Sequence, residues 1–253
     1  MQVTIIGTGN VGTVLGKLML RSKHTIVEVW GRNPEHTVLL ANQLEAVAVN
    51  DLQQINRQSD IYLVVVADDA IGVVARQLPI TGKLVLHTAG SVPGNVLEGG
   101  GNAYGVLWPI QSLRKEMEYL PVIPFGIDGN DASTIQTIRA FAETLSPLVT
   151  VADDVKRRQL HLAAVITSNF TNYLYALAED YCRQEQVDFK LLLPLMEETV
   201  TRAGLISPSQ TQTGPAARGD EKTIQAHLTL LQHQPGLQQI YQLLSEHILA
   251  SRN

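Results

Sequence analysis

The length, composition and charge of the chain exclude several classes of protein. Of its 253 residues, 45% are hydrophobic and 17% are charged, so the chain can bury a substantial core and is not intrinsically disordered. The formal net charge of −5 argues against a nucleic-acid-binding protein, which would carry clustered Lys and Arg. The short basic run Lys156, Arg157 and Arg158 is interpreted as the solvated face of a helix.

Cysteine usage and hydropathy predict a soluble protein of the cytoplasm. The single cysteine, Cys182, excludes an internal disulfide framework, fits a reducing compartment and is interpreted as a surface or half-buried structural thiol. Residues 2–6 lead directly into a glycine-rich turn and do not resemble a signal peptide. The sequence has no apolar run that approaches the roughly 20 residues of a membrane-spanning helix.

Short apolar runs alternate with helical patterns over residues 1–152. Most runs are rich in Val and Ile with little alternation, which is typical of parallel strands covered by helices on both faces. The predicted strands are residues 3–6, 25–29, 46–49, 61–66, 84–87, 104–107, 122–127 and 148–151. The predicted helices are residues 11–20, 34–44, 69–78, 93–97 and 132–145.

The pattern changes after Asp153 and Asp154. Residues 156–184 contain no Gly or Pro and predict one long helix. Further helices are predicted at 189–203, 221–232 and 237–250, with a polar loop over 207–219. The sequence therefore predicts an α/β fold. A Rossmann-like doubly wound sheet over residues 1–152 is followed by a smaller all-α domain over residues 153–253.

A glycine-rich motif follows the first predicted strand and opens the first helix. Its order is Gly7, Thr8, Gly9, Asn10, Val11 and Gly12, which matches the G-x-G-x-x-G fingerprint of dinucleotide-binding proteins. Gly7 permits the tight turn, Gly9 lets backbone approach a diphosphate, and Gly12 lets helix and strand pack closely. The helix N-terminus supplies free N–H donors for the anion.

The end of the second strand favours NADP(H) over NAD(H). An NAD site usually carries Asp or Glu there to bind the ribose hydroxyls, whereas this strand is followed by Arg32 and Asn33. Arg32 can pair with a 2′-phosphate, and Asn33 can add a hydrogen bond or cap the next helix. Ala67 and Asp68, which follow the fourth strand, are predicted to complete the cofactor site.

Several segments resemble a known group of oxidoreductases. Residues 1–12, 30–33 and 63–68 resemble the superfamily of pyrroline-5-carboxylate reductase and 6-phosphogluconate dehydrogenase. Residues 86–91, 105–112 and 213–220 resemble a branch that pairs a Rossmann-like NADP-dependent oxidoreductase domain with a C-terminal helical domain of unknown function. The resemblance implies a small-molecule substrate, a cleft between the domains and a homodimer formed through the helical domain.

The chain departs from the resemblance at one position. Relatives commonly carry His-Pro where this sequence has Trp108 and Pro109. If that histidine is catalytic in the branch, this chain uses another group or has lost the activity.

Polar residues follow the predicted strands at the edge where ligands bind in doubly wound sheets. His87 is interpreted either as a catalytic group or as a histidine that holds a loop. Ser91 and Asp68 are interpreted as helix caps, and Trp108 as a wall of the substrate cleft. The candidate substrate residues at this edge are Trp108, Gln111 and Ser112.

The long predicted helix carries a polar row on an otherwise apolar surface. At 3.6 residues per turn, His161, Ser168, Asn172 and Tyr175 share one stripe, with Asn169 beside it. Buried polar side chains need hydrogen-bond partners, which another helix, a second subunit or a substrate could supply. The related hydroxyacid dehydrogenases carry a Lys and an Asn on this helix, and His161 and Asn169 could resemble that pair in role.

The loop before the helix at 221–232 contains one further candidate. Arg218 could bind a substrate carboxylate or phosphate, or be an ordinary exposed side chain. Asp220 is interpreted as the N-cap of the helix that follows. The histidines lack metal-ligand spacing, and no metal site is predicted.

These observations favour a reductase that transfers hydride from NADP(H) to a carbonyl or imine carbon of a small metabolite. His161 or His87 would donate the proton, Asn169 and Gln111 would hydrogen-bond the reacting group, and Arg218 could anchor an anion. The alternative is a non-catalytic NADP(H)-binding protein in which the cofactor regulates a dimer or partner contact. A structural subunit without nucleotide is disfavoured by Gly7, Gly9 and Gly12.

Overall fold

The computed structural model describes residues 1–117 and 119–251. They contain a mixed sheet in the strand order β3-β2-β1-β4-β5-β6-β7-β8. Neighbouring strands are parallel except for the antiparallel pair β6 and β7. The strands are β1 (Gln2–Ile6), β2 (Thr25–Trp30), β3 (Val47–Val49), β4 (Ile61–Val64), β5 (Leu84–His87), β6 (Ala103–Pro109), β7 (Phe125–Gly129) and β8 (Val149–Val151).

The sheet is buried on both faces, because successive strand residues enter two separate cores. Ile5 and Leu63 lie in one core, whereas Ile6 and Val64 lie in the other. Each of these side chains is fully buried, as expected of parallel strands that are covered by helices on both sides. The helices of this part are α1 (Asn10–Arg21), α2 (Pro34–Gln43), α3 (Ile71–Gln77) and α4 (Ala132–Leu145). The predicted Rossmann-like doubly wound sheet is confirmed.

The chain then becomes helical. The helices are α5 (Asp154–Ala164), α6 (Thr171–Gln184), α7 (Leu193–Leu205), α8 (Pro215–Arg218), α9 (Glu221–Leu230) and α10 (Pro235–Ala250). Two compact units are distinguished by their contacts, Met1–Asn169 and Phe170–Asn253. The domain boundary predicted at residue 152 marks where the sequence pattern changes, and as a domain boundary it stays a prediction.

Three predicted elements differ from the structure. The long helix predicted over residues 156–184 is interrupted by a π-helical turn at Val165–Phe170. The segment 93–97, predicted as α-helix, forms a 3-10 turn at Gly94–Leu97. The predicted loop 207–219 contains α8, which begins after Gly214 (φ 106°) and ends at Gly219 in the left-handed region (φ 72°). The glycines that suggested a loop therefore delimit a short helix.

Side-chain caps fix where two helices begin. The Asn33 side chain accepts a hydrogen bond from the backbone N–H of His36 at 3.0 Å, and α2 starts at Pro34. The Asp220 side chain accepts from the N–H of Thr223 at 3.1 Å, which confirms its predicted capping role. Cys182 is buried within α6 and is 6% exposed, so the predicted surface or half-buried position of this thiol is wrong. Within the described residues, no helix is long and apolar enough to cross a membrane.

Candidate functional site

A cavity of about 290 Å³ lies where the strand order reverses between β1 and β4. Ligands of doubly wound sheets bind at such a switch point, beyond the carboxyl ends of the strands. Its lining comes from the segments that follow β1, β2 and β4 and from the start of α3. The lining residues are Gly7, Thr8, Gly9, Trp30, Gly31, Arg32, Asn33, His36, Val65, Val66, Ala67, Ala70 and Val74.

The glycine-rich motif has a different steric environment at each glycine. Gly7 adopts φ 130°, and a Cβ there would stand 2.5 Å from the backbone oxygen of Val65. A Cβ at Gly12 would stand 2.8 Å from the oxygen of Gly7 and 2.9 Å from Cγ2 of Val65. A Cβ at Gly9 would have no heavy atom of the described residues within 4 Å, apart from its two neighbours in the chain. Gly7 and Gly12 therefore permit close packing, and the space beside Gly9 is open toward a ligand.

The start of α1 presents hydrogen-bond donors beside this open space. Gly9 is the N-cap residue and has no side chain with which to cap the first turn. Free N–H groups and the helix dipole favour an anion at such a terminus. Asn10 and Val11 belong to this first turn but do not line the cavity, and the Asn10 Oδ1 accepts the backbone N–H of Lys115 at 3.3 Å. The geometry fits a diphosphate at the loop.

Three polar residues follow β2 at the other end of the cavity. Arg32 and Asn33, both predicted, line it, and His36 joins them from the first turn of α2. All three are exposed, so their polar groups can reach a ligand. Because the Oδ1 of Asn33 already caps α2, Arg32 and His36 are the groups suited to a 2′-phosphate. Sequence reasoning missed His36, although its place one turn beyond Arg32 was a usable signal.

Ala67 lines the cavity as predicted, whereas Asp68 does not. The Asp68 Oδ2 accepts a hydrogen bond from the Ser91 hydroxyl at 2.7 Å. The N-cap residues of the adjoining 3-10 turns are Ala67 and Pro93, so interpreting Asp68 and Ser91 as caps is wrong. Their side chains instead connect the segments that follow β4 and β5.

A second cavity, of about 360 Å³, contains most of the predicted substrate residues. It is formed by the end of β6, the segment that follows it, α5 and the π-helical turn. Trp108, Gln111, Ser112, His161 and Asn169 were predicted as site residues, and Ser168 belongs to the predicted polar row. Its lining also includes Pro109, Ile110, Ala164, Val165 and Thr167, which were not predicted.

The π-helical turn explains why three consecutive polar residues reach this cavity. In a regular α-helix, Thr167 would lie about 120° around the axis from His161. A π-turn closes its hydrogen bonds over five residues instead of four and rotates the chain less per residue. Thr167, Ser168 and Asn169 consequently line the same cavity as His161. Asn172 and Tyr175 of the predicted stripe belong to the other unit.

Trp108 and His161 form the best-defined contact of this cavity. Their ring centroids are 5.9 Å apart at an interplanar angle of 83°, an edge-to-face arrangement. Trp108 is only 6% exposed. A Cβ on Gly90 would stand 2.8 Å from Nε1 of Trp108 and 3.1 Å from Nδ1 of His161. The two rings thus pack against bare backbone, which fixes the position of the imidazole.

His87 lies at the end of β5 and is fully buried. Its Nδ1 accepts the backbone N–H of Ala89 at 3.1 Å, and its Nε2 has no hydrogen-bond partner among the described residues. Burial, followed by the positive charge of Arg157, lowers the pKa of His87 from 6.5 to about 4. The ring is therefore neutral at physiological pH and holds the loop after β5.

The interpretation of the basic run as a solvated face is wrong for Arg157, whose side chain is 1% exposed. Its Nη2 contacts Oδ1 of Asp154 at 2.6 Å and donates to the carbonyl oxygen of Val92 at 2.5 Å. Its Nη1 lies 4.0 Å from Oδ2 of Asp128 on β7. Paired charge and backbone oxygens make this burial possible. Desolvation raises the pKa of Asp128, whereas the hydrogen bond from Arg157 helps to hold the pKa of Asp154 low against desolvation.

Arg218 is at the C-terminal end of α8 and is exposed. It belongs to the unit that begins at Phe170, whereas both cavities described above are lined by residues of the other unit. Its role as an anion anchor stays a prediction. Among the residues that the structure describes, no group of three or more His, Cys, Asp or Glu could hold a metal ion.

Comparisons with known proteins agree with this architecture. The family model described as NADP oxidoreductase, coenzyme F420-dependent, matches residues 2–90, and DUF2520, a domain of unknown function, matches residues 123–248. BF3122 from Bacteroides fragilis, described as a candidate NADP oxidoreductase, is 38% identical, with a TM-score of 0.90 and 98% of each chain covered. The chain belongs to the family that combines this NADP oxidoreductase domain with DUF2520. The predicted resemblance is confirmed.

Two more distant structures share the fold. A reductive aminase from Aspergillus terreus, in complex with NADPH and ethyl-5-oxohexanoate, is 18% identical with a TM-score of 0.71 and covers 98% of this chain and 92% of its own. A pyrroline-5-carboxylate reductase from Coxiella burnetii is 14% identical with a TM-score of 0.59 and covers 99% and 96%. A search of curated proteins finds no match.

The contrast between Gly9 and Gly12 can be tested. We expect Gly9→Ala to leave the free energy of unfolding unchanged but to weaken NADPH binding by on the order of tenfold or more, about 1.4 kcal/mol, because its methyl group occupies the open space. Gly12→Ala should destabilise the fold by about 1–3 kcal/mol through overpacking. Urea unfolding and calorimetric titration measure both effects. Unaltered NADPH affinity in well-folded Gly9→Ala would contradict the assignment of the loop.

Proposed function

We propose that the protein is an NADPH-dependent reductase of a small carbonyl or imine compound. The observation that carries this proposal is the convergence of His161, Asn169 and Gln111 on one cavity of the unit that contains the Rossmann-like sheet. These side chains offer proton transfer and hydrogen bonding to a single reacting group. NADPH, when bound, supplies the hydride.

The choice of NADPH over NADH is supported by the chemistry of the segment after β2. Arg32 can form paired hydrogen bonds with a 2′-phosphate, and His36 lies one turn along α2 on the same cavity. The residues that directly follow β2, Gly31, Arg32 and Asn33, include no Asp or Glu that could bind the ribose hydroxyls. The family and the NADPH complex of the reductive aminase agree with this choice.

The proton donor of this proposal is His161. It lines the cavity, and its ring is held by Trp108 and Gly90. His87, the other predicted donor, is fully buried and has its pKa lowered to about 4, so at neutral pH it is the neutral imidazole of a positioning residue. Asn169 and Gln111 orient the group that accepts the proton.

We propose that the part of the substrate that occupies the second cavity is uncharged. Among the described residues that line the cavity there is no Lys, Arg, Asp or Glu, and its polar groups are hydroxyls, amides and one imidazole. A carboxylate in such a place would lose its hydration without gaining a cation. A neutral ketone, aldehyde or imine fits, and the reductive aminase structure is a complex with NADPH and the oxo ester ethyl-5-oxohexanoate.

A non-catalytic NADP(H)-binding role is the second candidate, and Trp108 is its motivation. The resemblance described from the sequence implies a histidine at the position of Trp108. In this chain, however, Trp108 places His161 beside the same cavity. We therefore prefer catalysis. Hydride transfer to no member of a broad panel of ketones and imines, despite tight NADPH binding, would favour the regulatory role.

The helical unit is proposed to form a homodimer. Three of its helices, α7, α9 and α10, present apolar side chains that are more than half exposed in the single chain: Leu195, Val200, Leu205, Leu230 and Leu243. A second copy of the chain would cover such a surface. A monomeric mass measured by light scattering at micromolar concentration would contradict this. The cytoplasmic location stays a prediction.

The role of Arg32 is tested by comparing the two cofactors. Arg32→Ala should weaken NADPH binding about 10- to 100-fold, the effect of losing a charge-assisted hydrogen bond, and should leave NADH binding unchanged. Fluorescence titration of the purified variant with each cofactor gives both dissociation constants. Equal losses for NADPH and NADH would show that Arg32 does not recognise the 2′-phosphate.

His161 is tested by turnover. His161→Gln should lower kcat by about 100-fold or more, the usual contribution of a general acid, with an unchanged dissociation constant for NADPH. The matched control is His233→Gln, because His233 is an exposed residue between α9 and α10. If turnover and its pH dependence are unchanged in His161→Gln, another group donates the proton.

A further inference from the structure

The buried side chain of Arg157 connects three parts of the Rossmann-like unit. Its guanidinium contacts Asp154 on its own helix, the carbonyl of Val92 in the loop after β5, and Asp128 on β7 at 4.0 Å. It also donates from Nη1 to the carbonyl of Ala152 at 3.4 Å. A planar guanidinium can satisfy several acceptors in fixed directions, which an ammonium cannot do.

The Arg157–Asp154 pair holds the loop after β5 at two points. Val92 accepts a hydrogen bond from the guanidinium, and the N–H of Gly94 donates to Oδ1 of Asp154 at 3.1 Å. The start of α5 is therefore fastened to this loop.

The same loop packs against Trp108 and His161, whose side chains line the second cavity. Gly90 lies two residues before Val92, and its backbone packs against Nε1 of Trp108 and Nδ1 of His161. His161 lies one helical turn beyond Arg157 on α5. Helix α5 therefore contacts the loop after β5 at two places. The first is the set of hydrogen bonds made by Arg157 and Asp154, which we call the Arg157 tether, and the second is the His161 ring.

We infer that Arg157 is a positioning residue that sets the location of the His161 ring against Trp108 and Gly90. Loosening the tether lets the first turn of α5 move relative to the loop, and the imidazole one turn further along moves with it. This inference deepens the proposed function, since it matters for catalysis only if His161 donates the proton. The placement of the ring itself does not depend on that role.

The test compares Arg157→Lys with Arg158→Lys, because Arg158 is the exposed neighbour on the same helix. Arg157→Lys keeps the positive charge but removes the planar set of N–H donors with which the guanidinium binds several acceptors. We expect kcat to fall about 10- to 100-fold, as small displacements of reacting groups cause, with an unchanged dissociation constant for NADPH. Arg158→Lys should behave as the unaltered protein does.

The second readout is the NMR signal of the His161 ring in histidine-labelled protein, assigned from its loss in His161→Gln. The edge-to-face contact with Trp108 shifts this signal, so it should move in Arg157→Lys and stay in place in Arg158→Lys. A merely stabilising role of Arg157 would lower the unfolding midpoint without moving the signal. If Arg157→Lys does not fold, Asp154→Asn replaces it and is measured in the same two ways. This variant keeps an oxygen that accepts the N–H of Gly94 but loses the negative charge.

The outcomes separate the two proposals. An unmoved His161 signal in folded Arg157→Lys overturns the positioning role. A moved signal, together with wild-type turnover in His161→Gln, supports the positioning role and overturns the proposed function of His161.

Discussion

The nucleotide-binding end of the sheet depends on a close approach between backbones that only glycine permits. At Gly7 the chain turns with φ 130° against the carbonyl of Val65, and Gly12 sits on the oxygen of Gly7. Without a Cβ at these positions, α1 begins directly at the ends of β1 and β4. The donors of its first turn then face the open space beside Gly9. Any larger residue would move the helix away and remove the anion site along with the packing.

The two cavities divide the chemistry that the proposed reaction needs. The first offers a helix N-terminus, Arg32 and His36, which are suited to the charged phosphates of a dinucleotide. The second offers hydroxyls, amides and an imidazole, without a fixed charge among its described lining residues. In our proposal, charged groups therefore recognise the cofactor, and neutral hydrogen bonds and one proton donor act on the reacting group. This division fits a reductase whose substrate carries no charge at the carbon that accepts the hydride.

The sequence was sufficient for the fold because the fold depends on local signals. Apolar runs, the glycine motif and the caps Asn33 and Asp220 each act within a few residues, and apart from α8 the strands and helices were found with errors of a few positions. The π-helical turn at Val165–Phe170 was missed, since a one-residue change in hydrogen bonding leaves little trace in hydrophobic periodicity. The polar row was nevertheless recognised, because His161 and Ser168 are seven residues apart in either geometry.

Burial was the property that sequence could not supply. Arg157 and Arg158 are neighbours of the same type, yet one is enclosed and the other is exposed. The difference arises from Val92 and Asp128, which are distant along the chain and reach Arg157 only through the order of β5, β6 and β7. His87 shows the same limit: its place at the end of a strand suggested catalysis, whereas desolvation and the nearby guanidinium favour a neutral ring.

The charges of Arg157, Asp154 and Asp128 also determine how the protein responds to substitutions at these positions. Removing one partner of an ion pair leaves the other charge without compensation, and this matters most for Arg157, whose side chain is 1% exposed, whereas those of Asp128 and Asp154 are 22% and 36% exposed. Arg157 faces Asp154 and Asp128 together, so the loss of one carboxylate leaves a second one 4.0 Å or less from the guanidinium. Replacing one of the two aspartates therefore destabilises the fold less than replacing Arg157. The same arginine keeps a positive charge near His87, which adds to the larger effect of burial in lowering the pKa of that imidazole. One side chain therefore contributes to the neutral state of the buried histidine and, in our proposal, places the reactive one.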